Sequence, residues 1–358
     1  MRLTKLYIHN YKSFYDTTIE LDKLNIVVGE NNSGKSNLID VLEFIDIAMS
    51  KDIERAISDK GGYDKIKNYS AVGEEKVIVR VTFDKTLIIS FSFTQNYEIL
   101  SEYLDKKYII CHKKYFNNNK LYRKKIFICS SKKKKSTIVN FLSILVNSSQ
   151  ILTYYFDAQK IRMLSNQDSE YSQLLKDGSN LGKILFEIKE KDKNRFEAIS
   201  NSLITTVNEI DGIEIYNVAG NYIIAFKERG KEPIPIHIVS DGTINFLATM
   251  TALNQIDSSS LLVFEEPERH LHLKVMDYLF ERFRADDRQI IVTTHSTELL
   301  NYAKLEEIVF IYRDSDGDTQ SIRAIDVPNL EGKMERLAYE RPMGLDEMIS
   351  CGMVGNFE

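Results

Sequence analysis

The sequence predicts an α/β fold, with a mixed sheet in a first lobe, a largely parallel sheet with helices in a second, and two insertions, one helical and one basic. Three observations predict it. Leu24 to Val28 is a short apolar run, followed by a glycine-containing loop and then by Gly34 to Met49, where Leu38, Val41, Leu42 and Ile45 recur at helical spacing. After Pro233 and Pro235, strand-like and helix-like segments alternate, the pattern of a parallel sheet. The chain has 358 residues, 43% of them hydrophobic, with five prolines, which is enough to bury an ordinary core and unlike a disordered or fibrous composition.

Taken in order, Leu3 to His9 alternates as a strand, and Gly61-Gly62 breaks the chain after the first helix. Lys76 to Phe83 and Thr86 to Phe93 read as a strand pair around Asp84-Lys85, and Ile151 to Phe156 as a core strand. Ser169 to Glu209 reads as mostly helical, interrupted at Gly178 and Gly182. Ile213 to Val218 and Tyr222 to Lys227 form a hairpin across Gly220-Asn221. Then follow a helix at Thr243 to Asn254, a buried strand at Leu261 to Phe264, a helix at Leu271 to Phe283 and a buried strand at Gln289 to Thr293. Asp314-Ser315-Asp316-Gly317-Asp318, between strands at Ile308 and Ile322, reads as a hairpin turn rather than a metal-binding acid cluster. The expected organisation is a first lobe of residues 1–99 and 151–160, a basic insertion at 100–150, a helical region at 161–212, a second lobe at 213–330 and closing helices at 331–358.

Charge is unevenly spread. The chain carries 47 basic and 52 acidic residues, a net of −5, yet Lys106 to Lys135 holds 12 basic residues and no acid. A local patch of this kind can act on a polyanion whatever the overall charge. Tyr103, Tyr108, Tyr115, Phe116 and Tyr122 are interleaved with its lysines, and Asn117-Asn118-Asn119 reads as a turn. Three readings stand: a nucleic-acid surface, a protein-partner surface, or a solvated hairpin whose lysines protect an edge strand. The three cysteines, Cys111, Cys129 and Cys351, give neither a disulfide framework nor a zinc site and fit a reducing, cytoplasmic setting. The N-terminus lacks the apolar core of a signal peptide, and the uncharged stretch Ser136 to Phe156 is too interrupted by amides to predict a membrane span.

The strongest chemical signal is Gly29-Glu30-Asn31-Asn32-Ser33-Gly34-Lys35-Ser36, a full match to G-x-x-x-x-G-K-[ST], with a strand before it and Asn37 opening the helix after it. Backbone N–H groups of such a loop converge on phosphate oxygens, and the helix N-terminus favours an anion. The expected binding residues are Gly29, Asn31, Asn32, Ser33, Gly34, Lys35, Ser36 and Asn37, with Lys35 on the β and γ phosphates of ATP and Ser36 on Mg²⁺. Leu261 to Phe264 ends in Glu265 and Glu266. Glu265 is expected to serve Mg²⁺, and Glu266 to act as general base on the attacking water. Ile290 to Thr294 ends in His295, placed to meet a γ-phosphate or the lytic water.

These motifs, with EEPERHLH from Glu265 to His272 and TTHS from Thr293 to Ser296, resemble the ABC-type ATPase heads of the SMC, RecF and OLD group, a class of P-loop NTPase. Val239-Ser240-Asp241-Gly242-Thr243 resembles that group's signature loop, Asn10-Tyr11-Lys12-Ser13-Phe14 its N-terminal motif, and Asp177-Gly178-Ser179-Asn180-Leu181 a segment of its helical lobe. The resemblance spans residues 1–99 and 151–312 and implies an ATPase that works as a homodimer or higher homo-oligomer. Ser240, Asp241 and Gly242 of one subunit would close over the nucleotide of the other, and Lys12 would join the nucleotide site. Two departures stand out: Glu265 occupies a position where many such heads have Asp, and Leu273 follows His272 where Pro is frequent. Gln159 is a weak candidate for the group's Mg²⁺-linking glutamine. With no sustained heptad in residues 100–150, a long coiled-coil arm is not expected, and neither is the Toprim nuclease domain of OLD proteins in the 63 residues after His295. The resemblance implies a switch in DNA repair or maintenance or, as the alternative, a regulatory scaffold for a separate nuclease or toxin in phage defence. The DNA or effector partner would be met through Lys106 to Lys135.

Overall fold

The computed structural model describes residues 2–71, 75–95, 99–105, 108–117, 120–129, 150–163, 165–166, 172–228, 230–255 and 261–330. Its elements are, in order, β1 (Leu3–Tyr11), β2 (Phe14–Glu20), β3 (Leu24–Val28), α1 (Lys35–Ser50), α2 (Ile53–Asp59), α3 (Tyr63–Ile66), β4 (Val77–Phe83), β5 (Leu87–Phe93), β6 (Ile99–Asp105), β7 (Tyr108–Asn117) and β8 (Lys120–Cys129). They continue with β9 (Ile151–Tyr154), α4 (Ala158–Arg162), β10 (Ser165–Asn166), α5 (Leu181–Lys191), α6 (Lys193–Thr206), β11 (Ile210–Val218), β12 (Asn221–Glu228), β13 (Ile234–Pro235), α7 (Asp241–Gln255), β14 (Leu261–Glu265), α8 (Leu273–Ala285), β15 (Gln289–Thr294), β16 (Ile308–Arg313) and β17 (Thr319–Arg323).

The central sheet has six strands in the order β17-β16-β3-β15-β14-β9. All its pairs are parallel except the β16–β17 hairpin, where Arg313 pairs with Thr319 across the acidic turn. Strand β3 of the N-terminal segment thus lies between β15 and β16, and one sheet is built from both lobes. Its central strands β3, β14 and β15 are buried on both faces and are largely apolar, as parallel strands are. Residues one apart along a strand enter different cores. Ile26, Leu262, Phe264, Ile290, Val292, Ile308 and Phe310 join the cluster that holds α5, α6, α7 and α8, whereas Val27, Val263, Ile291, Val309 and Ile311 join the cluster that holds α1.

The second sheet has seven strands, β2-β1-β4-β5-β6-β7-β8, antiparallel throughout. Helix α1 lies between the two sheets, which explains why it buries more than the predicted stripe of Leu38, Val41, Leu42 and Ile45. Phe44 is also fully buried, stacked on Phe93 at 5.7 Å and edge-on to Tyr11 at 5.8 Å.

Within the expected basic insertion, β6 to β8 extend this antiparallel sheet, with Asn117 paired to Lys120. Other expectations are corrected. Among the described residues, the stretch expected to be helical from Ser169 has its helices at α5 and α6, and Gly182 is a buried residue of α5 rather than a break. Gly178, at φ 75°, is a genuine turn. The β11–β12 hairpin turns on Ala219-Gly220, both at positive φ (50° and 82°), so Asn221 belongs to the strand opposite Val218. The closing helices expected at 331–358 and the Lys132 to Lys135 run lie outside the described residues. Among the described residues no helix is long and apolar enough to cross a membrane.

Candidate functional site

Parallel register brings the chemical residues to one edge. Val28 is level with Thr294 and Phe310, Thr293 with Glu265, and Phe264 with Tyr154. β3, β15, β14 and β9 therefore end at the same rim, and Gly29, His295, Glu266 and Tyr155 follow directly. Ligands of open parallel sheets bind outside these carboxyl ends.

The phosphate loop leaves β3 and closes on α1 with Gly34 as the residue before the helix, at φ 117°, a conformation an L side chain resists. Lys35 is buried, and its Nζ donates to the carbonyls of Gly29 at 2.6 Å and Glu30 at 2.8 Å and reaches Ser33 Oγ at 3.4 Å. Burial lowers the Lys35 pKa, and the charges of Glu266 and Glu30 oppose that shift. Asn31, Asn32 and Ser36 are exposed at the rim.

Two residues that the sequence reading did not single out, Thr319 and Arg313, brace this loop. Thr319, at the start of β17, is fully buried, and its Oγ1 lies 2.8 Å from both the Ser33 carbonyl and Ser13 Oγ. Asn37 Nδ2 donates to the same Ser13 Oγ at 2.7 Å, and the Thr319 N–H to the Ser13 carbonyl at 2.8 Å. Arg313 Nε donates to the carbonyl of Asn32 at 2.9 Å. The fit is close: a Cβ on Gly34 would stand 2.4 Å from Thr319 Oγ1, and one on Gly29 2.1 Å from the Ile311 carbonyl. Of the Asn10–Phe14 motif it is therefore Ser13 that meets the loop. Lys12 is paired to Asp40 of α1 at 2.6 Å, and Asp40 also takes Lys60 at 2.6 Å. Thr319→Val keeps the shape and removes the hydroxyl, which costs about 1–3 kcal/mol when buried partners are left unmet. We expect the KM for ATP to rise about tenfold with kcat changed far less, and Thr319→Ser to restore it; steady-state hydrolysis of the three proteins checks this.

At the end of β14 the carboxylates diverge. Glu266 takes φ 46°, a strained conformation for this residue type, while its N–H donates to the Thr293 carbonyl at 2.9 Å. Its Oε1 lies 3.3 Å from His295 Nε2. Burial and the Lys35 charge, against the pull of Glu266, hold the His295 pKa below its ordinary 6.5. The ring is therefore mainly neutral at pH 7, and the 3.3 Å contact is not an ion pair. Burial, then the neighbouring charges of Glu266 and Glu43, raise the Glu265 pKa. Glu268 is buried and accepts from the Thr294 hydroxyl, tying the end of β14 to that of β15; burial pushes its pKa up to about 7.

Ser36 and Glu265 offer only oxygen donors, one hydroxyl and one half-buried carboxylate whose charge burial disfavours. This donor set suits a hard dication such as Mg²⁺, whose charge would offset that penalty. Among the described residues no group of three or more His, Cys, Asp or Glu could hold a metal by itself, so a dication here would need substrate phosphates as further ligands.

Glu265 and Glu266 also line a cleft of about 610 Å³ with Gln159, Asp241, Asn245 and Arg269. Gln159 is thus in the same cleft as both carboxylates. Its helix, α4, is held by the Asp177–Leu181 segment: Asp157 N–H donates to the Asp177 carbonyl at 3.1 Å, Lys160 pairs with Asp177 at 3.0 Å, and a Cβ on Gly178 would stand 2.8 Å from Ile161. Across the cleft, exposed Ser240 caps α7, its Oγ accepting from the Thr243 N–H at 3.2 Å. Asp241 pairs with Arg162 at 2.5 Å, and Gly242 is buried against the His270 carbonyl, 2.1 Å from where a Cβ would lie. Ser240 is therefore exposed at the start of α7 while it caps that helix.

Comparison with known proteins agrees with this geometry. The family model described as "AAA domain, putative AbiEii toxin, Type IV TA system" matches residues 24–301. A Helicobacter pylori protein described as an ATP/GTP phosphatase is 24% identical over 326 residues, spanning 82% of this chain and 85% of the relative. A solved Smc head bound to the C-winged helix domain of ScpA superposes with a TM-score of 0.56 at 17% identity, over 90% of this chain and 98% of that one. An Smc head with an extended coiled coil, bound to the C-terminal domain of ScpA and derived from Pyrococcus furiosus, gives 0.53 at 16%, over 95% and 99%. The fold is that of an SMC-head P-loop NTPase.

Proposed function

This chain belongs to the AAA-domain family whose model it matches over residues 24–301 and is a P-loop ATPase; from that premise we propose that it is an ATP-gated switch acting in DNA maintenance. ATP bound at the phosphate loop joins two copies head to head, and hydrolysis separates them. The observation that carries the reading is the shared rim, where Lys35, Glu266 and His295 converge from three parallel strands, with Glu266 3.3 Å from His295. In this reading the loop N–H groups and Lys35 hold the β and γ phosphates. Glu266 takes the proton of the attacking water, and neutral His295 fixes the carboxylate's orientation. Ser36 and Glu265, with Gln159 nearby, would hold Mg²⁺, which supplies charge neutralisation on the phosphates. Ser240, exposed ahead of α7, would close on the nucleotide of the second copy, while Asp241 and Gly242 shape the loop that presents it. Lys12, held by Asp40, would act on α1 rather than directly on phosphate.

Association that depends on the γ-phosphate requires ATP and ADP to differ in affinity for the closed state. Ser240→Arg, by bulk and charge, is expected to leave ATP binding to the monomer intact and to abolish the ATP-dependent dimer. Light scattering with ATP, ADP and no nucleotide checks this; an unchanged dimer in the variant defeats the reading. The toxin–antitoxin wording of the matching family favours one alternative, a regulatory scaffold or sensor for a separate effector in phage defence. An oligomer of the parent chain indifferent to nucleotide would support it.

A further inference from the structure

Strands β7 and β8 close the described end of the antiparallel sheet, and among the described residues no strand pairs with the far side of β8. Their register sets His112 opposite Lys125, Lys113 opposite Lys124 and Lys114 opposite Arg123 in three consecutive rungs. Neither strand contains an acidic residue. On the other side, β6 sets Ser101, Leu100 and Ile99 against His112, Lys113 and Lys114, so it offers no counter-charge at those rungs. Like charges directly opposite one another destabilise an antiparallel pair. A ladder written this way gains stability from an anion laid along it.

The next rungs name the anion. Beyond the basic rungs come Tyr115 opposite Tyr122, Phe116 opposite Leu121 and Asn117 opposite Lys120. Alternate rungs share a face. One face therefore carries Lys113 with Lys124, then Tyr115 with Tyr122, then Lys120, each rung about 7 Å from the last at the usual rise. Cations alternating with aromatic positions suit a nucleic-acid strand, in which phosphates need charge and unstacked bases need rings. An acidic polypeptide would use the lysines and have no use for a tyrosine pair between them. A duplex would keep its bases stacked within itself.

We propose that this face of the β7–β8 ladder binds single-stranded nucleic acid. It rests on the DNA-maintenance reading above and names the polymer form and the surface. The test uses the full chain and a fluorescently labelled 20-nucleotide mixed-sequence DNA strand, its RNA equivalent, the matching duplex and polyglutamate, in anisotropy titrations between about 50 and 200 mM salt. Expected is tighter binding of a single strand than of duplex or polyglutamate. Lys113→Ser with Lys124→Ser should lower the salt slope by about 1.4, at about 0.7 per phosphate contact. Tyr115→Ala with Tyr122→Ala should weaken binding about tenfold or more at unchanged salt slope, and the two Phe replacements should retain it. Basal ATP hydrolysis should be the same in all variants, which verifies folding and tests the ATPase reading separately. The proposal is overturned if the parent binds no single strand at low salt while hydrolysing ATP, if polyglutamate or duplex binds as well, or if the tyrosine variants bind as the parent does.

Discussion

Lys35→Ala is expected to lose ATP affinity by roughly a hundredfold, and hydrolysis with it. The ammonium sits inside the loop, held by the Gly29 and Glu30 carbonyls at 2.6 and 2.8 Å, so it is placed before any phosphate arrives. Two charge-assisted contacts to phosphate oxygens contribute about 1.5–3 kcal/mol each, and even the lower sum of about 3 kcal/mol is a hundredfold in Kd. The substitution also frees two carbonyls that the ammonium satisfied, so a thermal melt without nucleotide must accompany it. Titration with a fluorescent ATP analogue measures the effect. A variant that folds, binds and hydrolyses ATP as the parent does would remove the phosphate-loop assignment.

Glu266→Gln keeps the volume and removes the base. It is expected to bind ATP, to hydrolyse it about 10²–10⁴ times more slowly, and to accumulate as the closed dimer. The strained backbone at φ 46° and the 3.3 Å contact to His295 suit a residue held for chemistry, since neither is needed to end a strand. Sizing chromatography in ATP, ADP and buffer separates the outcomes. The same association state in all three would sink the switch, because a protein that cannot discharge ATP should remain in whatever state ATP favours. A variant that keeps full hydrolysis would instead show that another group activates the water, with Glu265 the nearest carboxylate in sequence.

The α/β class, the phosphate-loop motif, the paired carboxylates and the histidine at strand ends were legible in the sequence for a local reason. A loop cradle needs Gly34 at positive φ and a helix start within eight residues, and a buried parallel strand is an unbroken apolar run such as Ile290 to Val292. Each of these features is written in consecutive residues. It also showed that the residues around Lys113 are basic and aromatic, but not that they continue the β4–β5 sheet, because their pattern lacks the clean alternation of a half-buried strand.

What braces the candidate site came from long-range packing. Thr319 and Arg313 brace a loop almost 300 residues earlier in the chain, Asp40 captures Lys12, Glu268 ties two strand ends together, and Asp177 holds the turn before Gln159. A single hydroxyl or carboxylate making one long-range hydrogen bond leaves no period and no spacing to read. Its partner is chosen by which strands lie side by side, and strand order is settled by the burial of whole faces against α1 and α7, contacts between segments far apart in sequence.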